Sequence, residues 1–460
     1  VSEQSLTSLA ILKVNWDNKG HDYVQNFVPF VAEALRRAPQ DHVSVAELQS
    51  IIRGEFGIVI PQGALNTLLH RAERQGLVQR TAGVYIRNSA ALDPNFQQTL
   101  AQVNRQRESL ITKLVSFAET RHSVRWTNDE ADEALRYYLQ RSCVPILAAA
   151  IDGCPIPTSQ KKVKHADFIV NALIVDLSER DPESFSFLET VVKGNMLATA
   201  LFLPDISKTD RRFAKLHVYF DTRILLRALG LEGEGLQTSS VELLQLLYEL
   251  NADLFCFDIT RDEIRGILDA VQHALRDPRH RPRRLYGVHE HLLSIGARAS
   301  DVEMIIANLE RSLRKLHIIV RAKPEQKSEL GINENDLEAM IQTELPEQGK
   351  EARLHDVDCL TAIHRLRNGR PQSEIETCGH IFVTTNHSLA MVGAKFFVEQ
   401  YGRVTVPTCI NDHTMATLAW VKNPTIVGEF SKNRLIASSY AALNPTPDLW
   451  RKYYEEIERL

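Results

Sequence analysis

Four acidic residues and one amide stand where apolar runs of this chain end. Asp221 follows Leu216-His217-Val218-Tyr219-Phe220, and Glu263 comes soon after Leu254-Phe255-Cys256-Phe257. Asp356 and Asp358 open an otherwise apolar helical stretch, and Asn386 follows Ile381-Phe382-Val383. Carboxylates gathered at the carboxyl ends of parallel strands hold hard divalent cations, Mg²⁺ or Mn²⁺, against a phosphate. Two such charges about 4 Å apart repel by roughly 4 kcal/mol at an effective dielectric near 20, so a converging set requires a cation. Metal-assisted phosphodiester hydrolysis is the chemistry such a set can do, and it needs no Ser or Cys nucleophile.

Each acid also has an ordinary role. Asp221 is placed to cap the helix that carries Ile224, Leu225, Ala228 and Leu229, a contribution of about 1 kcal/mol. Thr260 and Glu263 have the spacing of a capping box, and Asp356 sits where it would complement a helix dipole. Asp358 lies one turn before the small Ala362, on the side expected to pack toward a sheet, and is the acid hardest to explain without a cation. An amide oxygen at Asn386 can still ligate, but it carries no charge to strengthen the site.

The elements that position these residues alternate between strand and helix. Apolar runs at 216–220, 254–257, 381–383 and 404–406 read as buried strands, each followed by a helical pattern, which implies a three-layer α/β/α domain with a mainly parallel sheet. Between Glu263 and Asp356 the chain carries Arg276, Arg279, Arg281, Arg283 and Arg284, broken by Pro278 and Pro282. Such a loop suits a nucleic-acid backbone, or is simply a solvated surface.

Upstream, a helix is expected over residues 24–37, a second from the Ser44 cap with Glu47 three residues on, and a third from about Pro61 that buries Leu65, Leu68, Leu69 and Ala72. Two short strands follow. Three helices and a hairpin over residues 24–88 resemble a winged helix-turn-helix, in which the third helix would show Asn66, Arg71 and Arg74 to nucleic acid, with Arg80 and Arg87 on the wing. From Phe96 to Phe117 apolar residues recur at four and three spacing with Arg107 in the stripe. That rhythm offers a homodimer seam, although docking on another helix of the same chain explains it better.

The downstream succession resembles the PIN domain family of metal-dependent nucleases over roughly residues 214–425. The resemblance rests on the strand ending in Asp221, on Thr260 with Glu263, on Asp358 through Ala362, and on Thr384-x-Asn386-x-x-Leu389. It implies Asp221, Glu263 and Asp358 as metal ligands, Asp356 as a neighbour or substitute, and Mg²⁺ or Mn²⁺ as cofactor. The family usually has Asp where this chain has Asn386. The expected division is a winged helix at 1–92, a helical connector at 93–210, a PIN-like domain at 211–425 and a helical extension at 426–460, which ends without a cap.

A net charge of −4 leaves nucleic-acid binding to local basic patches. The six cysteines show no Cys-x-x-Cys pair, which excludes a disulfide scaffold or zinc ribbon as an expectation. No signal peptide is recognisable and no run reaches roughly eighteen apolar residues, so a cytoplasmic protein without a membrane partner is expected. The leading expectation is a nuclease acting on RNA or DNA, in a setting such as a bacterial toxin or defence effector. The alternatives are a PIN-like binding or assembly protein without catalysis, and a winged-helix transcriptional regulator.

Overall fold

The computed structural model describes residues 5–18, 25–58, 60, 62–81, 84–88, 95–142, 163, 165–200, 213, 215–277, 287–325, 328–346, 348–372, 375, 378–401 and 406–422. The chain divides into two compact units, Val1–Asp210 and Arg211–Leu460. Among the described residues, no helix is long and apolar enough to cross a membrane.

The first unit is helical with one small sheet. Ser44 caps the helix Val45–Phe56, its Oγ accepting from Glu47 N at 3.2 Å, and Gly57 ends that helix at φ 65°. The next helix, Gln62–Arg74, buries Leu65, Leu68, Leu69 and Ala72, as its spacing predicts. Strands β1 (His42–Val43), β2 (Val78–Thr81) and β3 (Val84–Arg87) form an antiparallel sheet in the order β1-β3-β2. The helix expected from residue 24 is Val28–Arg37, preceded by a 3₁₀ turn at Gln25–Phe27.

An additional helix, Ser5–Asn18, was not expected from its polar start. Its buried Leu6, Ala10, Ile11, Leu12 and Trp16 leave too little polar face for periodicity to mark it. It packs on the helix Pro182–Ala200, where Gly194 lets the backbone of Leu9 approach. The four-and-three stripe falls on the helix Asn95–His122, and Arg107 within it pairs with the buried Asp132 of the helix Asn128–Ser142 at 2.7 Å. That stripe therefore serves packing inside the unit.

The second unit is built on a five-stranded parallel sheet in the order β6-β5-β4-β7-β8, from β4 (His217–Phe220), β5 (Asp253–Phe257), β6 (Ile318–Arg321), β7 (His380–Thr384) and β8 (Cys409–Asn411). Val218, Phe220, Leu254, Phe255, Phe257, Ile381, Phe382 and Val383 are all buried. Strands covered on both faces read as near-continuous apolar runs, which is why β4, β5 and β7 stand out. The edge strands are β6, which was not expected, and Cys409–Asn411; the strand expected at 404–406 falls on residues of which 404 and 405 lie outside those described. The long segment between Glu263 and Asp356 contains β6 and several helices.

This order fixes where a site can lie. From β4 the chain builds outward through β5 to β6, then returns to β7 on the other side of β4. The gap between the carboxyl ends of β4 and β7 is the topological switch point, the place where an open α/β sheet leaves a crevice.

Candidate metal centre

Asp221 ends β4 at this switch point and begins the helix Thr222–Ala228, its Oδ1 accepting from Thr222 N at 2.7 Å. Its Oδ2 accepts from Thr384 Oγ1 on β7 at 2.5 Å. The expected cap is present, and the same carboxylate is also tied to the neighbouring strand.

The helix Lys350–Leu366 brings His355 and Asp356 to Asp221. One ligand atom from each of these three residues lies within 4.8 Å of the other two. Asp356 is only 6% exposed, and its Oδ2 accepts from Gln348 Nε2 at 2.7 Å. His355 Nδ1 stands 3.5 Å from Asp356 Oδ1, and its Nε2 stands 3.5 Å from Glu263 Oε2 and 3.0 Å from Thr260 Oγ1.

Asp358 is placed differently from the expectation. Residues two apart on a helix are turned about 200° from one another, so Asp356 and Asp358 cannot both face the sheet. Asp356 does, whereas the Asp358 side chain is 36% exposed and pairs with Lys323 Nζ at 2.7 Å, just beyond β6. Asp356 therefore takes the position assigned to Asp358.

Glu263 borders the cluster. The helix Asp258–Arg276 begins two residues before Thr260, so Thr260 and Glu263 do not form a capping box. Thr260 is released to meet His355, and Glu263 Oε2 accepts from Thr222 Oγ1 at 2.5 Å. Asn386 caps the helix His387–Tyr401, its Oδ1 accepting from Leu389 N at 3.2 Å. The amide oxygen thus serves the helix. Asp412 starts the helix Asp412–Lys422, its Oδ1 accepting from His413 N at 3.0 Å.

Electrostatics follow from this packing. Burial, reinforced by Asp356 and Glu263, raises the Asp221 carboxyl from 3.8 to about 7, while His355 and the Thr384 hydroxyl act in the opposite direction. Burial opposes charge on His355, but Cys359, Asp356 and Glu263 together outweigh it and hold the ring well above its ordinary value.

Of the nucleic-acid candidates, Arg276 lies near the end of its helix and faces Glu303 at 3.6 Å, while Arg279, Arg281, Arg283 and Arg284 lie outside the described residues. In the first unit Asn66, Arg74 and Arg80 are exposed and Arg71 is half-buried. Arg87 is engaged with the end of the helix Val28–Arg37, donating from its NH1 nitrogen to the carbonyls of Leu35, Arg36 and Ala38 and pairing with Asp41 at 2.8 Å.

From the sequence, His355 stands beside the proposed site, where a packing role is the expected one, and Thr384 belongs to the strand-end motif; the structure brings both into the cluster. Thr222 and Gln348 were not anticipated, and nothing local marks them. No protein family, curated protein or solved structure matches this chain.

Proposed function

We propose that the second unit is a PIN-like, metal-dependent nuclease domain and that the first carries a winged-helix module for RNA or DNA. The observation that carries this reading is the convergence of Asp221 and Asp356, from two separate elements, at the switch point of a parallel sheet. Like charges are costly to gather in a partly buried site, and a divalent cation offsets that cost. The donor set of two carboxylates suits such an ion.

Asp221 and Asp356 would hold the cation. When bound, it supplies Lewis-acid chemistry, offsetting the charge of a phosphodiester and making a nearby water a stronger acid. Thr384 and Gln348 orient the two carboxylates, and Glu263, fixed by Thr222, supports the outer side of the site. The exposed Asn66, Arg74 and Arg80 supply polar and cationic groups for a nucleic-acid backbone.

A specific observation favours a second reading, a PIN-like binding domain without catalysis. His355 lies between Glu263 and Asp356, where a charged ring neutralises carboxylates without any metal. Cleavage separates the two. Labelled RNA and single-stranded DNA are incubated with Mn²⁺ and wild type, Asp221→Asn or Asp356→Asn protein. Cleavage that both substitutions abolish supports the nuclease, and a wild type that binds but never cuts supports the second reading.

A further inference from the structure

This inference rests on the metal reading above and concerns which metal the site takes. The cluster contains an imidazole as well as two carboxylates. His355 Nδ1 and Asp356 Oδ1 are 3.5 Å apart, and His355 Nε2 and Glu263 Oε2 are also 3.5 Å apart. Charge-assisted N–H···O bonds are shorter, about 2.7–2.9 Å, so neither pair is drawn into a tight hydrogen bond. A separation of 3.5 Å is close to that of two ligands on one small tetrahedral cation, about 3.3–3.4 Å for metal–ligand distances near 2.0–2.1 Å.

The groups are oriented for ligation. The His355 side chain is 9% exposed, and its Nε2 meets the Thr260 hydroxyl at 3.0 Å, which can accept an Nε2 proton and so leave Nδ1 free to ligate. Asp221 is held by Thr222 N and Thr384, and Asp356 Oδ2 by Gln348, so Asp356 Oδ1 and His355 Nδ1 face one another.

Magnesium binds oxygen ligands and keeps much of its water, whereas imidazole nitrogen suits the later divalent transition metals. We infer that His355 Nδ1 is a direct metal ligand alongside Asp221 and Asp356, and that the site takes a transition metal of the Co²⁺ or Zn²⁺ kind in preference to Mg²⁺. The all-oxygen site expected from the row of acids becomes a mixed nitrogen and oxygen site.

The test reads binding, independently of cleavage. The full chain is stripped with EDTA and titrated with Co²⁺ and Mg²⁺ by calorimetry, with the visible absorption of bound Co²⁺ followed in parallel. Co²⁺ is expected to bind at least about 100-fold more tightly than Mg²⁺. His355→Gln is expected to lose about 10–100-fold in Co²⁺ affinity while Mg²⁺ affinity changes little. Pulsed EPR of wild type loaded with one equivalent of Mn²⁺ reads the nitrogen modulation of a coordinated imidazole, and its loss in Asp221→Asn assigns that signal to this site among the sixteen histidines. Its presence supports the inference even if His355→Gln fails to fold. Equal Co²⁺ and Mg²⁺ affinity with no nitrogen modulation overturns the inference and leaves an oxygen-ligated nuclease standing. Failure to bind any divalent cation overturns both.

Discussion

Replacing Asp221 by Asn should stabilise the metal-free protein at alkaline pH. The two side chains have the same shape, and an Asn oxygen still accepts from Thr222 N, while the Thr384 hydroxyl can turn to accept from the amide. What the substitution removes is a carboxylate crowded by Asp356 and Glu263, with its proton held up to about 7 against an ordinary 3.8. A folded pKa above the unfolded one means that the native state keeps its proton while the unfolded state releases it. Stability therefore falls as pH rises from about 4 to 7 and is flat beyond that window. About three pH units at roughly 1.4 kcal/mol each set a ceiling near 4 kcal/mol. Asp221 retains some solvent contact, and screening brings the expected gain to about 2 kcal/mol. Urea unfolding in EDTA at pH 4 and pH 8 measures it, with the two proteins expected within about 0.5 kcal/mol at pH 4 and the variant ahead at pH 8. A divalent cation should restore wild type and leave the variant unmoved. A variant less stable than wild type at pH 8, or a difference independent of pH, would refute the reasoning.

Asp356→Asn should abolish Mn²⁺-dependent cleavage, whereas Asp358→Asn should keep it within about threefold. The Asp358–Lys323 pair is partly exposed, so its loss should cost no more than about 1 kcal/mol in urea unfolding. Arg87→Ala should destabilise the protein by about 1 kcal/mol through the lost bonds to the Arg36 and Ala38 carbonyls and to Asp41 at the end of the helix Val28–Arg37, while Arg80→Ala should leave the unfolding midpoint unchanged and weaken nucleic-acid binding in a salt-dependent filter assay. Gly194→Ala places a Cβ 1.7 Å from the Leu9 carbonyl oxygen. Helix separation is then forced, and a loss of about 3 kcal/mol is expected by thermal or urea unfolding.

The central strands were legible because burial on both faces turns a parallel strand into an apolar run, and Asp221 was legible because it ends such a run before a helix. Ser44 with Glu47 announced a helix start, since that cap is a local hydrogen bond between near neighbours. The edge strand β6 was not recognised although Ile318-Ile319-Val320 is as apolar as Ile381-Phe382-Val383, because no carboxylate or amide motif follows it and helical segments stand on either side. The choice of Asp358 over Asp356 had a different cause. The helix Lys350–Leu366 is buried around most of its circumference, from Arg353 and Asp356 through Arg365. Its outward side carries the apolar Leu354, 42% exposed, while Arg353 and Asp356 are turned inward, so polarity does not mark its rotation.

Local sequence therefore determined the central strands, the helix starts marked by a side-chain cap such as Ser44, and that carboxylates stand near strand ends. The tertiary structure decided which carboxylates meet. Crossover connections return the chain to both sides of β4, bringing Asp221, Glu263 and His355 into one crevice from distant segments. Helix rotation then turns Asp356 inward and leaves Asp358 to Lys323. Neither outcome is encoded at short range, because both depend on how whole elements pack against the sheet.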